Sequence, residues 1–319
     1  MDISTRFALF QALIILPFAA GMVVKRLLRL ENPSVFTRKL IKVNLMAIEP
    51  VIALWSTWGL ALTKELVMLP LSGLALVCAG TIFGYAIKNR LKLSPRKETT
   101  FLISSSLANH GFTMGAFLCY LLAGEKGLGL AFIFLSYFMP YIFLVVFPYA
   151  RMKSTGKGFE LGSAMDFFLS LQNMPLFAII ASLLLLAFGI SRPAVNFPVD
   201  VFIIVSMGLY YFTLGLNFET PAFFASGKEN VALAAIKFLL VPALAMAVLR
   251  LVHLDPDIET VILVQSFMPA AIYSVVSSVL FDLDAGFASN LFVWNSILFL
   301  AGILPGLVVF RDFFLGFLL

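Results

Sequence analysis

The chain has 319 residues, of which 61% are hydrophobic and 12% are charged. Soluble domains have about 45–50% apolar and about 25% charged residues, so this composition excludes a soluble protein and indicates an integral membrane protein. The formal net charge is +5, and the placement of the basic residues decides whether that charge serves a nucleic-acid partner or the membrane topology.

Apolar runs separated by short polar or Pro/Gly-containing segments predict ten membrane spans, each near the ~20 residues needed to cross a bilayer. The predicted spans cover residues 6–28, 37–58, 65–88, 97–122, 127–149, 166–189, 198–217, 230–251, 258–280 and 286–310. The first run has no small-residue cleavage site after it, so we interpret it as a span and not as a removed signal peptide. A Gly/Lys/Ser-rich segment divides the spans five and five. We therefore predict a first repeat at 1–149, a cytoplasmic linker at 150–165 and a second repeat at 166–319.

Lys and Arg residues are concentrated in the loops on one side of the predicted bundle, around residues 25–39, 88–97 and 151–157. Because loops rich in Lys and Arg stay in the cytoplasm, this side is predicted to be cytoplasmic, with both termini outside. We expect a protein of the cell membrane, inner or plasma. The positive charge is explained by topology, and no nucleic-acid partner is predicted.

Five spans in each half have a geometric consequence. A second half related to the first must insert upside down, which gives an inverted repeat with its pseudo-two-fold axis in the membrane plane. The fourth span of each half also stands out, because polar residues interrupt it at Ser104 to Gly111 and at Gln265 to Ser274, and a short polar turn follows each. Interrupted spans in matching positions are the best sequence indication of a transport site.

Pro269 lies near the middle of the ninth span. Proline has no N–H group, and its ring presses against the carbonyl four residues earlier, here that of Gln265. Such a break at membrane depth survives where it is buried in protein or lines an aqueous cavity. A helix that restarts after the break offers unpaired N–H groups and a positive dipole end, which suit a carboxylate. Gln265, Ser266 and Tyr273 flank the break and are candidates for substrate contact. The alternative is a proline kink that neighbouring helices already satisfy.

Asn109 and His110 lie about 12 to 13 residues into the fourth span, which is ~18–20 Å along a helix and somewhat beyond the middle of a ~30 Å hydrocarbon core. A polar pair at that depth needs partners. Asn109 is a candidate for a hydrogen bond to substrate or to unwound backbone. His110, whose imidazole titrates near neutral pH in water, is a candidate for carrying a coupled proton. The alternative for both residues is a hydrogen bond between helices.

Glu49, next to Pro50, is the only acidic residue deep in a predicted span. An ionised carboxylate at the centre of a bilayer costs ~2.5–3.5 kcal/mol on insertion scales, so Glu49 should be paired, hydrated or protonated. It is a candidate for proton coupling, and the alternative is an ion pair with Lys237, the only lysine well inside a span. Lys237 is also a candidate for attracting an anion, with snorkelling to the cytoplasmic surface as the alternative.

A C-terminal set of residues carries a resemblance to a known family. The run Met268-Pro269-Ala270-Ala271, the turn Asp282-Leu283-Asp284, then Ala288-Ser289 and Pro305 resemble the auxin efflux carrier family, with its plant auxin exporters and bacterial carboxylate permeases. Asn109-x-Gly111 is similar to the family's other motif. The resemblance implies an all-α integral membrane fold of ten helices as two inverted five-helix repeats, with broken helices 4 and 9 that cross where they unwind. It also implies a scaffold part, a mobile part that moves as an elevator, and substrate held beside the crossing.

The chain departs from the family's pattern at three places. The first break has Gly111 and Gly115 where the family has a proline, Gly208 stands where the seventh span often has proline, and Asn295 stands where the tenth often has threonine. These departures bear on the identity of the substrate. The residues predicted to form the substrate site are Asn109, His110, Gly111, Gln265, Ser266, Met268, Pro269 and Tyr273, with Glu49, His110 and Lys237 as candidates for coupling.

The leading functional hypothesis is a secondary transporter, a permease or efflux carrier for small organic anions such as carboxylates, with alternating access around the two breaks. Its expected partners are the anion, membrane lipid and a coupling ion. A proton is favoured over sodium because Glu49, Gln265 and Ser266 offer few oxygen ligands. The alternatives are a sodium-coupled symporter of the bile-acid type and a membrane receptor or assembly subunit that binds without transporting. No cofactor, metal or enzyme activity is predicted, since no phosphate-binding loop, Cys/His metal spacing or nucleophile–base set is present. A homodimer is compatible with the sequence.

Overall fold

The computed structural model describes residues 3–28, 34–156, 173–217 and 227–309, and the regular structure within them is helical. In the first half the helices are α1 Ile3–Leu27, α2 Ser34–Val43, α3 Glu49–Trp58, α4 Met68–Leu91, α5 Pro95–Ser106, α6 Gly115–Leu135, α7 Phe138–Tyr141 and α8 Phe147–Thr155. In the second half they are α9 Met174–Ala187, α10 Val199–Asn217, α11 Gly227–Ala235, α12 Val241–Leu249, α13 Pro256–Ser266, α14 Ile272–Leu280, α15 Ala285–Leu298 and α16 Leu304–Val309. The predicted all-α class is confirmed.

Seven helices in the described part of the chain are long and apolar enough to cross a membrane. They are Ala8–Leu27, Phe36–Trp58, Lys64–Leu91, Gly115–Thr155, Val199–Asn217, Gly227–Leu249 and Ala285–Leu307. The Gly115–Thr155 segment is 41 residues long, and Ala123 and Gly124 leave helical geometry within it, where the turn between the fourth and fifth spans was predicted. This set agrees with an integral membrane protein.

Three predicted spans are missing from the seven as continuous helices. The fourth and ninth are each divided into two shorter helices, α5 with the start of α6, and α13 with α14. Of the sixth, α9 is described, and it has 14 residues. Residues 157–165 of the predicted linker and 166–172 of the sixth span lie outside the described residues, and α8 continues to Thr155. The ten-span inverted repeat therefore stays a prediction.

Four π-helical turns occur in the described helices, at Asn44–Ile48, Ile142–Val146, Ile236–Leu240 and Phe299–Ile303. The residue after each turn donates its N–H to the carbonyl five residues earlier, and the next residue is a proline: Pro50, Pro148, Pro242 and Pro305. Because a proline lacks an N–H and its ring presses against the carbonyl four residues back, a wider turn before it keeps the helix continuous. The turns before Pro148 and Pro305 fall in the fifth and tenth spans, which the predicted repeat relates to each other.

Two helix pairs pack closely along their lengths. Helix α1 packs along α10, and α9 packs along α3. The α1–α10 contact is close because Gly21 lies against the backbone of Phe212 and Leu216, while Gly215 lies against the backbone of Phe18. The predicted repeat relates the first span to the sixth and the second to the seventh, so it also relates these two pairs. We call α1, α2, α3, α9 and α10 the scaffold helices, and the other helices the crossing layer.

Charged side chains pair at one end of the bundle between loops that were predicted to share the basic face. Lys88 Nζ lies 2.6 Å from Glu98 Oε1, and Arg96 Nη2 lies 3.1 Å from Asp282 Oδ2. Lys228 Nζ donates to the Leu91 carbonyl at 2.8 Å, which ties α11 to the end of α4. These basic residues do share one end, and its cytoplasmic orientation stays a prediction.

A second set of charged side chains pairs at the opposite end. Arg192 pairs with Glu125, and Lys126 pairs with Asp257. The hydrogen bond to Asp257 raises the pKa of Lys126 above its ordinary value. Lys126 and Arg192 lie outside the three basic segments of the sequence, and the structure places both of them at the end opposite those segments.

Candidate functional site

The two interrupted spans cross each other through their unwound segments. Asn109 N–H donates to the Pro269 carbonyl at 2.7 Å, and Ala271 N–H donates to the Leu107 carbonyl at 3.2 Å. Ala108 and Ala270 lie opposite each other between these bonds as an isolated antiparallel bridge. We call residues 107–114 and 267–271 the crossing. Unwound backbone at membrane depth needs such partners, because lipid provides none.

The break in the ninth span follows from Pro269. Helix α13 ends at Ser266, and Ala271 has extended backbone with φ −78° and ψ 148°. The Gln265 carbonyl, which proline deprives of its usual donor, accepts instead from Met268 N–H at 3.3 Å. Ser266 Oγ donates to the Leu263 carbonyl at 2.7 Å. The hydroxyl of this predicted site residue therefore binds a carbonyl in the last turn of its own helix, α13.

The break in the fourth span is held without a proline. Helix α5 ends at Ser106, and Leu107 is extended, with φ −74° and ψ 131°. Asn109 forms three hydrogen bonds. Its N–H donates to the Pro269 carbonyl, its carbonyl accepts from Gly115 N–H at 3.1 Å, and its Oδ1 accepts from Thr113 Oγ1 at 2.9 Å. Asn109 thus fixes both the loop shape and the contact with the other break.

His110 is buried, with an exposed fraction of 1%. Its Nδ1 lies 2.6 Å from the Tyr137 hydroxyl, and its ring meets Phe134 edge to face. The His110 carbonyl accepts from Gln265 Nε2 at 3.2 Å. The imidazole therefore makes the hydrogen bond between helices that the sequence left as the alternative, and the backbone of His110 binds the second break.

Gln265 is fully buried beside the start of α6. Its Oε1 has no hydrogen-bond partner in the described structure. A Cβ on Gly115 would overlap this oxygen, whereas a Cβ on Gly111 would meet nothing within 4 Å. Gly115 is thus required for close approach, while Gly111 has open space around its Cα and is partly exposed.

Lys237 lies within the π turn of the eighth span and is also buried. Its Nζ donates to the Leu107 carbonyl at 2.9 Å and to the Ser106 carbonyl at 3.3 Å. Its ammonium group therefore ends at the crossing and neither reaches the surface nor forms an ion pair with Glu49 within the described residues. The carboxyl end of α5 carries the negative end of the helix dipole, which a cation stabilises.

Glu49 begins α3, directly after the first π turn, and is buried. The Tyr210 hydroxyl lies beside its carboxyl group, close enough to interact with it, and Asn44 lies beside the same tyrosine. Tyr273, at the start of α14, lies close enough to interact electrostatically with Glu49. Glu49 therefore faces the crossing from the scaffold helices.

A family model described as membrane transport protein matches residues 56–305, well over half of the chain. The chain belongs to the membrane transport protein family, that of the auxin efflux carriers. The comparison with curated proteins gave no match. The resemblance seen in the sequence is confirmed at the level of the family, and the matched range contains both breaks.

Two residues of this family member hold the crossing although neither was among the predicted site residues. Asn295 Oδ1 accepts from Ala270 N–H at 2.8 Å. The Tyr211 hydroxyl donates to the Thr113 carbonyl at 2.5 Å. The sequence shows that both are polar residues in apolar spans. It does not show their hydrogen-bond partners, which lie 25 and 98 residues away in the chain.

In this transporter the predicted residues therefore fall into three groups. Asn109, His110, Gly111, Gln265 and Pro269 meet at the crossing. The Met268 side chain is buried in the hydrophobic core beside it, and Ser266 is bound within α13. Tyr273 is partly exposed and packs edge to face on Phe138, with 5.7 Å between ring centroids, on the side that Glu49 faces.

Helix α14 begins at the crossing with an open amino end. Its N-cap, Ala271, has no side chain that accepts a hydrogen bond. Ser274 N–H bonds to the Ala271 carbonyl, while the Ile272 and Tyr273 N–H groups have no backbone acceptor among the described residues. Ile272 is exposed. A helix start with free N–H groups and a positive dipole end is suited to bind a carboxylate.

Proposed function

We propose that this chain is a secondary transporter of small organic anions such as carboxylates, which works by alternating access around the crossing. The observation that carries the proposal is the open amino end of α14 beside Glu49 and Tyr210. A carboxylate there would accept from the Ile272 and Tyr273 N–H groups. Membership of the membrane transport protein family supports transport as the activity.

The layers of the bundle support an elevator as the mechanism of access. The site lies between the crossing layer, which provides the breaks, and the scaffold helices, which provide Glu49, Tyr210 and Tyr211. A displacement of the crossing layer past the scaffold would carry an anion bound at α14 from one side of the membrane to the other, as expected for a site at the interface of two repeats.

Glu49 supports a proton as the coupling ion. Its carboxyl group is buried, its neighbours Tyr210 and Asn44 are neutral, and no cation pairs with it in the described structure. A buried carboxylate without a cation is costly at membrane depth, so protonation accompanies its burial. A proton and an anion would then move together, with Glu49 next to the anion.

The proposal is tested by uptake of labelled mono- and dicarboxylates into proteoliposomes, with pH and sodium gradients imposed separately. Uptake is expected to follow the pH gradient. Glu49→Gln is expected to abolish accumulation driven by pH and to retain anion exchange, while Glu65→Gln, a change of the same chemistry at the end of the bundle, behaves as wild type. Absence of uptake of any anion by folded protein would contradict the substrate class, and unchanged pH dependence in Glu49→Gln would make Glu49 structural.

A further inference from the structure

Lys237 binds backbone carbonyls where a transporter of this architecture could hold a free cation. Its Nζ donates to the Leu107 carbonyl at 2.9 Å and to the Ser106 carbonyl at 3.3 Å, and its side chain is 2% exposed. Carbonyls of unwound backbone and carboxyl ends of half-helices are the groups that coordinate a coupling sodium ion in secondary transporters. At this end of α5, the ammonium group already occupies that position.

The two half-helices that end at the crossing differ in how their last carbonyls are satisfied. At the end of α13 the chain folds back, since Met268 and Phe267 donate to the Gln265 and Val264 carbonyls and Ser266 Oγ donates to Leu263. At the end of α5 the chain becomes extended at Leu107 instead, so no following N–H returns to Ser106. The Ser106 carbonyl therefore needs a donor from elsewhere, while the neighbouring Leu107 carbonyl accepts both Ala271 N–H at 3.2 Å and the Lys237 ammonium.

The position of Lys237 in its own helix makes it that donor. It is the second residue of the π turn Ile236–Leu240, which precedes Pro242. Helices α11 and α12 on either side of the turn pack against α4 and belong to the crossing layer. The cation thus comes from the same layer as the carbonyls that it binds, so it stays with the crossing whenever that layer moves.

We propose that Lys237 is a tethered cation, which occupies the place of a dissociable sodium ion at the crossing and makes anion transport independent of sodium. The proposal deepens the proposed function, because it names the ion that this site excludes, and its transport readout depends on that function. Binding of a cation at the end of α5 can also be measured without any substrate.

Lys237→Ala removes the side chain beyond Cβ, and n-propylammonium has the atoms that are lost. In sodium-free medium with choline, this variant is expected to lose about tenfold in anion uptake, since it lacks hydrogen bonds from a charged donor. Sodium or n-propylammonium is expected to restore uptake, whereas choline, a quaternary ammonium ion, has no N–H to donate to the two carbonyls. Lys42→Ala, which removes an exposed lysine in the second span, is the control and is expected to behave as wild type in all media.

Melting temperatures in detergent provide the second readout. The wild-type protein is expected to melt at the same temperature in sodium and in choline chloride, while sodium and n-propylammonium stabilise Lys237→Ala in a saturable manner. Lys237→Met, which keeps most of the volume, is the second variant if Lys237→Ala folds poorly. Folding of either variant that requires one of these cations also supports a replaceable cation.

Several outcomes would overturn the tethered cation. They are saturable stabilisation of wild type by sodium, sodium-dependent uptake by wild type, wild-type uptake by Lys237→Ala in choline, and variants that fail to fold in every cation. Cation-dependent melting of Lys237→Ala without anion uptake by wild type would contradict the proposed function alone. Normal anion uptake by wild type with no cation effect on either variant would contradict the tethered cation alone.

Discussion

Gly115 is the first residue of α6 and lies against the other break. A Cβ there would overlap Gln265 Oε1 and lie 2.8 Å from the His110 carbonyl oxygen. Gly115→Ala is expected to destabilise the protein by about 1–3 kcal/mol, the usual cost of an extra methyl group in a packed core, and to lower its melting temperature in detergent. Gly111→Ala is the control in the same break, because nothing lies within 4 Å of its Cβ position. Equal melting temperatures of the two variants would contradict the close approach at Gly115.

Single residues show what a sequence can predict about a buried polar group. Membrane depth alone predicts that His110 and Lys237 need partners, because unpaired polar groups are costly there. It does not identify the partners, which lie 27 residues away for His110 and 130 for Lys237. An ion pair of Lys237 with Glu49 was a reasonable pairing of opposite charges, but the open carbonyls of α5 become visible only once the helix is known to end at Ser106.

Pro269 determines where the ninth span divides into α13 and α14. With alanine in its place, an N–H becomes available to the Gln265 carbonyl, and the two helices are expected to join. The Pro269 carbonyl would then turn away from Asn109 N–H, a contact of 2.7 Å in the crossing. Pro269→Ala is therefore expected to lower anion uptake about tenfold or more with expression retained, since the proposed site is built on the break.

The control for this variant is Pro256→Ala. Pro256 is the first residue of α13 and is exposed, and the N–H of that position has no partner in a helix in any case. It is expected to transport as wild type. Normal uptake by Pro269→Ala would show that the break is not needed for transport.

The prolines also show which features of a helix the sequence cannot predict. The break at Pro269 followed from proline together with flanking polar residues. Pro50, Pro148, Pro242 and Pro305 were equally visible, yet each is preceded by a π turn in a continuous helix. A proline can cause a kink, a break or a wider turn, and contacts with neighbouring helices decide among them. Those contacts cannot be identified from the sequence alone.

At the scale of the whole molecule, one ion pair joins the scaffold helices to the crossing layer, and a second pair at the same end lies within the crossing layer. Arg192 lies in the loop between α9 and α10, over the Trp55 ring at 4.6 Å, and donates to the Trp55 carbonyl at 3.1 Å. It also pairs with Glu125, which lies at the turn within α6 in the crossing layer. The Lys126–Asp257 pair at the same end joins α6 to α13, both of the crossing layer.

In the proposed elevator, a displacement of the crossing layer past the scaffold would break the first pair and leave the second intact. Glu125→Gln removes the first pair without disturbing Arg192 on Trp55, and Asp257→Asn removes the second with the same change in charge. Both pairs are partly exposed, and such pairs contribute up to ~1 kcal/mol, so Glu125→Gln is expected to raise the rate of anion exchange by up to about fivefold. Asp257→Asn is expected to leave the rate unchanged.

The test measures the anion exchange rates of wild type and both variants in proteoliposomes at low and high salt, since salt screens an exposed ion pair. The rate of wild type is expected to rise with salt toward that of Glu125→Gln. Equal rates for the two variants would mean that the two layers do not separate at this end during transport.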